Sequence, residues 1–138
     1  MRDEVRYREE QRAEIDRLRA AYRWLPAPAC HAGWVGLIRV LCRDLESVLG
    51  WRALHGEGGK PVHVACTEKF GRLKVGLSGV PEPKRDAVEG FVRAADAASA
   101  TVCEVCGASG NTRDHGGLGT TRCGRHHAQL QAERARRT

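Results

Sequence analysis

The stretch TVCEVCGASGNTRDHGGLGTTRCGRHH, Thr101–His127, holds three of the chain's six cysteines and three of its six histidines. Cys103 and Cys106 are separated by two residues, Cys123 and His126 likewise, and sixteen residues lie between the pairs, giving C-x2-C-x16-C-x2-H. Two short pairs on separate turns bring four ligands tetrahedrally around one ion. Thiolates and an imidazole in that set suit zinc. Gly107 and Gly124 leave the backbone free to turn beneath the metal. With all four positions filled by protein, the site is expected to be one structural zinc with no place for water. His127 is the alternative imidazole, but the x2 spacing favours His126. A disulfide or free thiols are the competing reading of the cysteines.

The same stretch contains Asp114-His115, a pair that HNH-type metal nucleases use for cutting. Such a site needs an Asp-His or a His on one strand of a hairpin, then an Asn and a further ligand on the following helix. Seven residues separate His115 from Cys123, which leaves little room for a hairpin, and no Asn follows His115. Asp114-His115 therefore reads as a polar turn leading into the glycines. No phosphate-cradling loop, nucleophile elbow or H-E-x-x-H is present, and the chain is not expected to be an enzyme.

Working outward, 138 residues suit one domain with an arm. Seven aromatic residues leave the core to Leu, Val, Ile and Ala, and a structural metal would help so modest a core. No apolar run is long enough to span a membrane, and the charged N-terminus lacks a signal-like apolar centre. A cytoplasmic location follows as the expectation, and there thiols stay reduced. The net charge of +6 is uneven: residues 122–138 carry five arginines against one glutamate, residues 60–93 seven cations against four acids. That excess points to an acidic partner or simply to solubility.

Residues 2–25 read as a charged helix. Ile15, Leu18, Tyr22 and Leu25 form a narrow stripe, with Glu4–Arg8, Arg12–Asp16 and Glu14–Arg17 as surface pairs. The segment 1–26 is an arm or a partner-binding helix with Ile15, Leu18 and Tyr22 as contacts, stopped by Pro26 and Pro28. In Gly33–Gly50, Trp34, Leu37, Ile38, Leu41, Leu45, Val48 and Leu49 share one helical face, with Cys42 beside it as a buried thiol. Val62, Val64 and Cys66 alternate, as do Leu73, Val75 and Leu77, so the two runs form a hairpin across Glu68–Gly71. PEPKRDAVEGFVRAADAAS is a second core helix, with Pro83 in its first turn. A short basic helix closes the chain. Cys30, His31, His63 and Cys66 have no spacing that demands a second metal.

The expected fold is α+β: two core helices on a small antiparallel hairpin, a charged N-terminal helix, and a C-terminal zinc module of the knuckle or ribbon kind. The divisions are 1–26 arm, 27–100 core and 101–138 zinc module with its basic helix.

Four segments together, GWVGLIRVLC at 33–42, EKFGRLK at 68–74, CEVCG at 103–107 and TRCGRH at 121–126, resemble a widespread group of small, mostly uncharacterised bacterial and phage proteins. The likeness covers about residues 30–127. Leu118 departs from it, standing where that group often has an aromatic residue, and His127 stands where it often has Ala. The resemblance implies zinc on Cys103, Cys106, Cys123 and His126, a phage or mobile-element setting, and a host macromolecule as target. The first functional expectation is a zinc-stabilised regulator that binds a host protein or nucleoprotein complex, a defence system being one candidate. The second is a DNA or RNA binder that sets Lys69, Arg72, Lys74, Arg113, Arg122 and Arg125 on phosphates. The HNH-like nuclease is the third.

Overall fold

The computed structural model describes residues 2–137, with side chains described for 6–137. The fold is α+β: α1 Arg2–Ala21, α2 Val35–Leu49, α3 Trp51–His55, β1 His63–Lys69, β2 Arg72–Ser78, α4 Glu82–Ser99, β3 Asn111–Asp114, β4 Gly119–Arg122 and α5 Gly124–Arg137. A 3-10 turn, Ala32–Trp34, leads into α2. The strands make two separate two-stranded antiparallel sheets, β1-β2 and β3-β4.

The apolar stripe of α2 buries Ile38, Leu41, Cys42 and Leu45 against the first hairpin and α4. In β1 and β2 the alternation buries Val64, Cys66 and Leu73 in the register Cys66↔Val75 and Glu68↔Leu73. α4 enters with Pro83 in its first turn and lies along β2. Its Ser99 hydroxyl accepts the Leu73 amide at 2.9 Å, and Asp96 pairs with both Arg72 (2.9 Å) and Lys74 (2.6 Å).

Four features depart from those expectations or add to them. First, α1 is not a free arm. Leu18 is fully buried, Ile15 and Tyr22 pack on the core, and Leu18 therefore cannot serve as a partner contact. The helix also ends at Ala21, not Leu25. Residues 22–25 leave helical geometry so that Leu25 can enter the core and the Trp24 indole can donate to Glu46 at 3.1 Å.

Second, the arm boundary at residue 26 does not separate a unit. Gln11 bridges two distant segments, accepting the Ala32 amide and donating to the Val105 carbonyl at 2.9 Å. Of the surface pairs, Glu14–Arg17 forms, while Arg12–Asp16 does not among the described residues. Glu4 of the Glu4–Arg8 pair lies outside the described side chains.

Third, a short helix, α3, occupies the stretch after Gly50 and buries Leu54. Fourth, the cysteine-rich stretch does contain a hairpin. β3 and β4 pair from Asn111↔Arg122 to Asp114↔Gly119, so Asp114-His115 ends a strand. The turn needs only Gly116 and Gly117, with φ of 65° and 93°, a pair that closes a two-residue hairpin at no side-chain cost.

Candidate metal centre

The centre is assembled from three local structures. The first is a tight turn at Cys103–Gly107, where the Gly107 amide donates to the Cys103 carbonyl at 2.9 Å and Gly107 adopts φ 81°. An added Cβ at Gly107 would sit 3.0 Å from the Gly33 carbonyl oxygen. The second is the β3-β4 hairpin, which brings the chain back so that Cys123 faces that turn. The third is the start of α5. Cys123 stands at the N-terminus of this helix, and backbone amides of His126 and Arg125 donate toward its sulfur. Amides at a helix N-terminus favour negative charge, and they hold the Cys123 thiol below its ordinary pKa.

Four donor atoms gather here. Cys103 Sγ lies 3.5 Å and Cys123 Sγ 3.2 Å from His126 Nδ1, and the Cys106 and Cys123 sulfurs are 3.9 Å apart. All four donors lie within 4.8 Å of one another. A tetrahedron with metal–sulfur bonds of about 2.3 Å has edges of about 3.8 Å, so this set fits a single ion. Burial lowers the pKa of His126, and the cations Arg125 and Arg122 act in the same direction. The imidazole is thus kept neutral, the form a metal needs. Cys106 is the exposed member, its thiol raised chiefly by desolvation.

A partly buried ion pair locks the turn to the hairpin. Glu104, between the two cysteines of the turn, is only 3% exposed. Its carboxylate accepts from Arg122 Nε at 2.9 Å, and its amide donates to the Thr121 carbonyl at 2.9 Å. Burial nevertheless raises the Glu104 pKa, with Arg122 opposing. The hairpin is braced in turn by Thr112 and Thr121, whose hydroxyls are 2.7 Å apart.

The six cations expected on nucleic acid are not gathered on one free surface. Arg72 and Lys74 share Asp96, Arg122 is committed to Glu104, and Arg113 donates to the Arg122 carbonyl at 3.0 Å. Lys69 and Arg125 make no side-chain bond among the described residues.

Asp114, His115 and His127 are near one another without converging. The Asp114 carboxylate accepts the Gly117 amide at 2.8 Å, His115 Nε2 lies 3.2 Å from the Thr120 hydroxyl, and the two imidazoles stack at 5.4 Å. Among the described residues the Cys103, Cys106, Cys123 and His126 set is the one group of metal-binding type. Cys30, His31, His63 and Cys66 form no second one.

Cys30, Cys42 and Cys66 carry thiols pushed up by burial to about 12, about 12 and about 11. At pH 8 each is ionised to about one part in a thousand or less, so none offers a reactive thiolate. In the folded, metal-loaded protein, iodoacetamide labelling read by mass spectrometry is expected to leave these three unmodified for hours. Rapid alkylation of any of them would contradict the packing described.

Sequence reasoning missed Phe70 and Leu118. They sit at the tips of the two hairpins, 73% and 61% exposed. The tips interlock through glycines: a Cβ on Gly119 would fall 2.3 Å from the Phe70 oxygen, and one on Gly71 2.7 Å from Thr120 backbone. The Thr121 hydroxyl donates to the Gly71 carbonyl across the joint. Phe70 is the single non-glycine residue with positive φ, 55°, among the described residues. The dipeptide Phe-Gly in a hairpin position that favours Asn-Gly was the available signal.

No helix among the described residues is long and apolar enough to cross a membrane. No protein-family model, no curated protein and no solved structure matches the chain.

Proposed function

We propose that the chain is a zinc-stapled binding module that regulates a partner protein by docking it on the joined hairpin tips. Zinc is the reading that three thiolates and one imidazole at tetrahedral separations support best, since soft sulfur donors discriminate against magnesium and calcium. The site's job is to hold the turn, the second hairpin and α5 in one piece. The likeness of the four sequence segments to bacterial and phage proteins supports a host protein or nucleoprotein complex as the target, with a defence system as one candidate.

The observation that carries the docking reading is Phe70. An aromatic side chain 73% in water gains nothing from folding, and its φ of 55° costs about 1 kcal/mol relative to an ordinary backbone. Leu118 stands on the adjacent tip and is also exposed. Two large apolar groups held on clamped turns are pre-organised to enter an apolar recess, the arrangement of an interface anchor.

The test separates stability from binding. Phe70→Asn is expected to raise stability by about 1 kcal/mol, read from the urea midpoint, because Asn tolerates this backbone. With Leu118→Ser added, retention of the partner from nuclease-treated host lysate should fall at least tenfold while metal content stays constant. Undiminished retention by the double variant would remove the tips from the interface.

A further inference from the structure

The helices α1 and α5 flank the metal centre but barely touch each other, and a cleft of about 590 Å³ lies between them. One wall is a single face of α5: Arg125, Gln129 and Arg136 fall at i, i+4 and i+11. The opposite wall is Tyr7 of α1. At the metal end lie Arg122, His31, Val105 and the candidate donor His126 itself.

We propose that this cleft binds the phosphate backbone of a single nucleic-acid strand, with Arg125 and Arg136 as its outer contacts and Arg122 at its inner end.

Three observations favour that occupant. The first is the hydrogen-bond inventory. Arg122, Arg125, His31, Gln129 and the Tyr7 hydroxyl all offer N–H or O–H donors to the cleft, and they come from four separate segments of the chain. Arg122 is held by Glu104 through Nε, which leaves the other edge of its guanidinium unused. Arg125 and Arg136 have no side-chain partner among the described residues. Planar guanidinium forks suit phosphate oxygens.

The second is shape. The cleft is small, about 590 Å³, a size that suits a segment of one strand. Arg125 and Arg136 are about 16 Å apart along the helix axis. That length matches about four or five stacked nucleotides at 3.4 Å each.

The third is the aromatic wall. Tyr7 is half-buried and faces the cations, so it offers a face on which a base can stack beside its own phosphate.

The local charge sets the character of the binding. Glu133 lies on the same wall and opposes Arg136, and the charge of Glu104 is already spent on Arg122. Attraction therefore comes from short-range forks and stacking and not from a broad positive field. Three phosphate contacts on a single strand imply a log–log salt slope of about −2. This site is distinct from the hairpin tips, and the two together would suit a nucleoprotein target.

The experiment is fluorescence anisotropy with a labelled octathymidylate and the full-length, metal-loaded chain at 50–200 mM salt, about the range over which phosphate contacts are read. Expected are a slope of about −2 for the native protein and a loss of about 0.7 in slope with at least about fivefold weaker binding for Arg125→Ala and for Arg136→Ala. Tyr7→Ala should weaken binding while Tyr7→Phe largely retains it, and Lys69→Ala and Phe70→Asn should leave it unchanged. No binding at the lowest salt, or native-strength binding by either arginine variant, would overturn the proposal. So would equal competition by an acidic peptide of similar length, which would give the cleft to polypeptide.

Discussion

Stripping the metal with a chelator, or replacing Cys106 with serine, is expected to unfold the whole C-terminal third of the chain. Cys106 is exposed and serine nearly preserves its volume, so the substitution removes a ligand without opening a core cavity. A structural zinc contributes on the order of 10 kcal/mol to such modules. The total stability of a domain this size is about 5–15 kcal/mol, so the loss is comparable to the whole. It would not stop at Cys103. The metal turn anchors Trp34 through a 2.9 Å bond from its indole to the Val102 carbonyl, and it anchors Gln11 through the Val105 carbonyl. α1 and the start of α2 are therefore expected to loosen with it. Metal analysis should find about one zinc per chain before chelation. Circular dichroism and limited proteolysis should then show loss of α5 and new cleavage within 101–123. A metal-free chain with native protection there would refute a structural metal.

The same packing explains which parts of the fold could be read in advance. α2 announced itself because Ile38, Leu41 and Leu45 face one core, and β1 and β2 because Val64, Cys66 and Leu73 alternate against it. The four donors were legible from spacing alone, since two x2 pairs leave few geometries. β3 and β4 were not legible, and the reason is physical. Asn111–Asp114 and Gly119–Arg122 contain no aliphatic residue, because this hairpin packs through threonine hydroxyls, with the four candidate donors gathered at its open end. Its one local signal was Gly116-Gly117. The docking of α1 was hidden in another way. Leu18 lies in a run so charged that it reads as solvated, and only the tertiary fold shows that this narrow stripe suffices to bury one face. The interlock of the hairpin tips depends on contacts fifty residues apart, which no local pattern carries.

Gly33→Ala is expected to be among the most damaging substitutions of a single methyl in this chain. A Cβ at Gly33 would lie 2.2 Å from the Cys103 oxygen and 2.4 Å from the carbonyl carbon and oxygen of Glu104. These are backbone atoms of the metal turn, so no rotamer change relieves the clash. The Gly33 amide also donates to the Glu104 carbonyl at 2.9 Å, so moving the chains apart breaks that bond as well. The Gly33 backbone itself is ordinary, without the positive φ that would require glycine. The cost is therefore one of contact, and more than about 4 kcal/mol is expected, the range reserved for a defined steric failure. Two controls isolate it. Gly50→Ala has open space but φ 85° and ψ 158°, a region that only glycine adopts readily, and should cost about 1–3 kcal/mol through the backbone alone. Gly90→Ala, inside α4 with nothing near its Cβ, should gain up to about 1 kcal/mol. Because the clash falls on the ligand-bearing turn, Gly33→Ala should also surrender its metal at lower chelator concentration than the native protein, whereas the two controls should not. A Gly33→Ala chain with native urea midpoint and native metal retention would show that the turn does not rest on the start of α2, and the link between metal and core would have to run elsewhere.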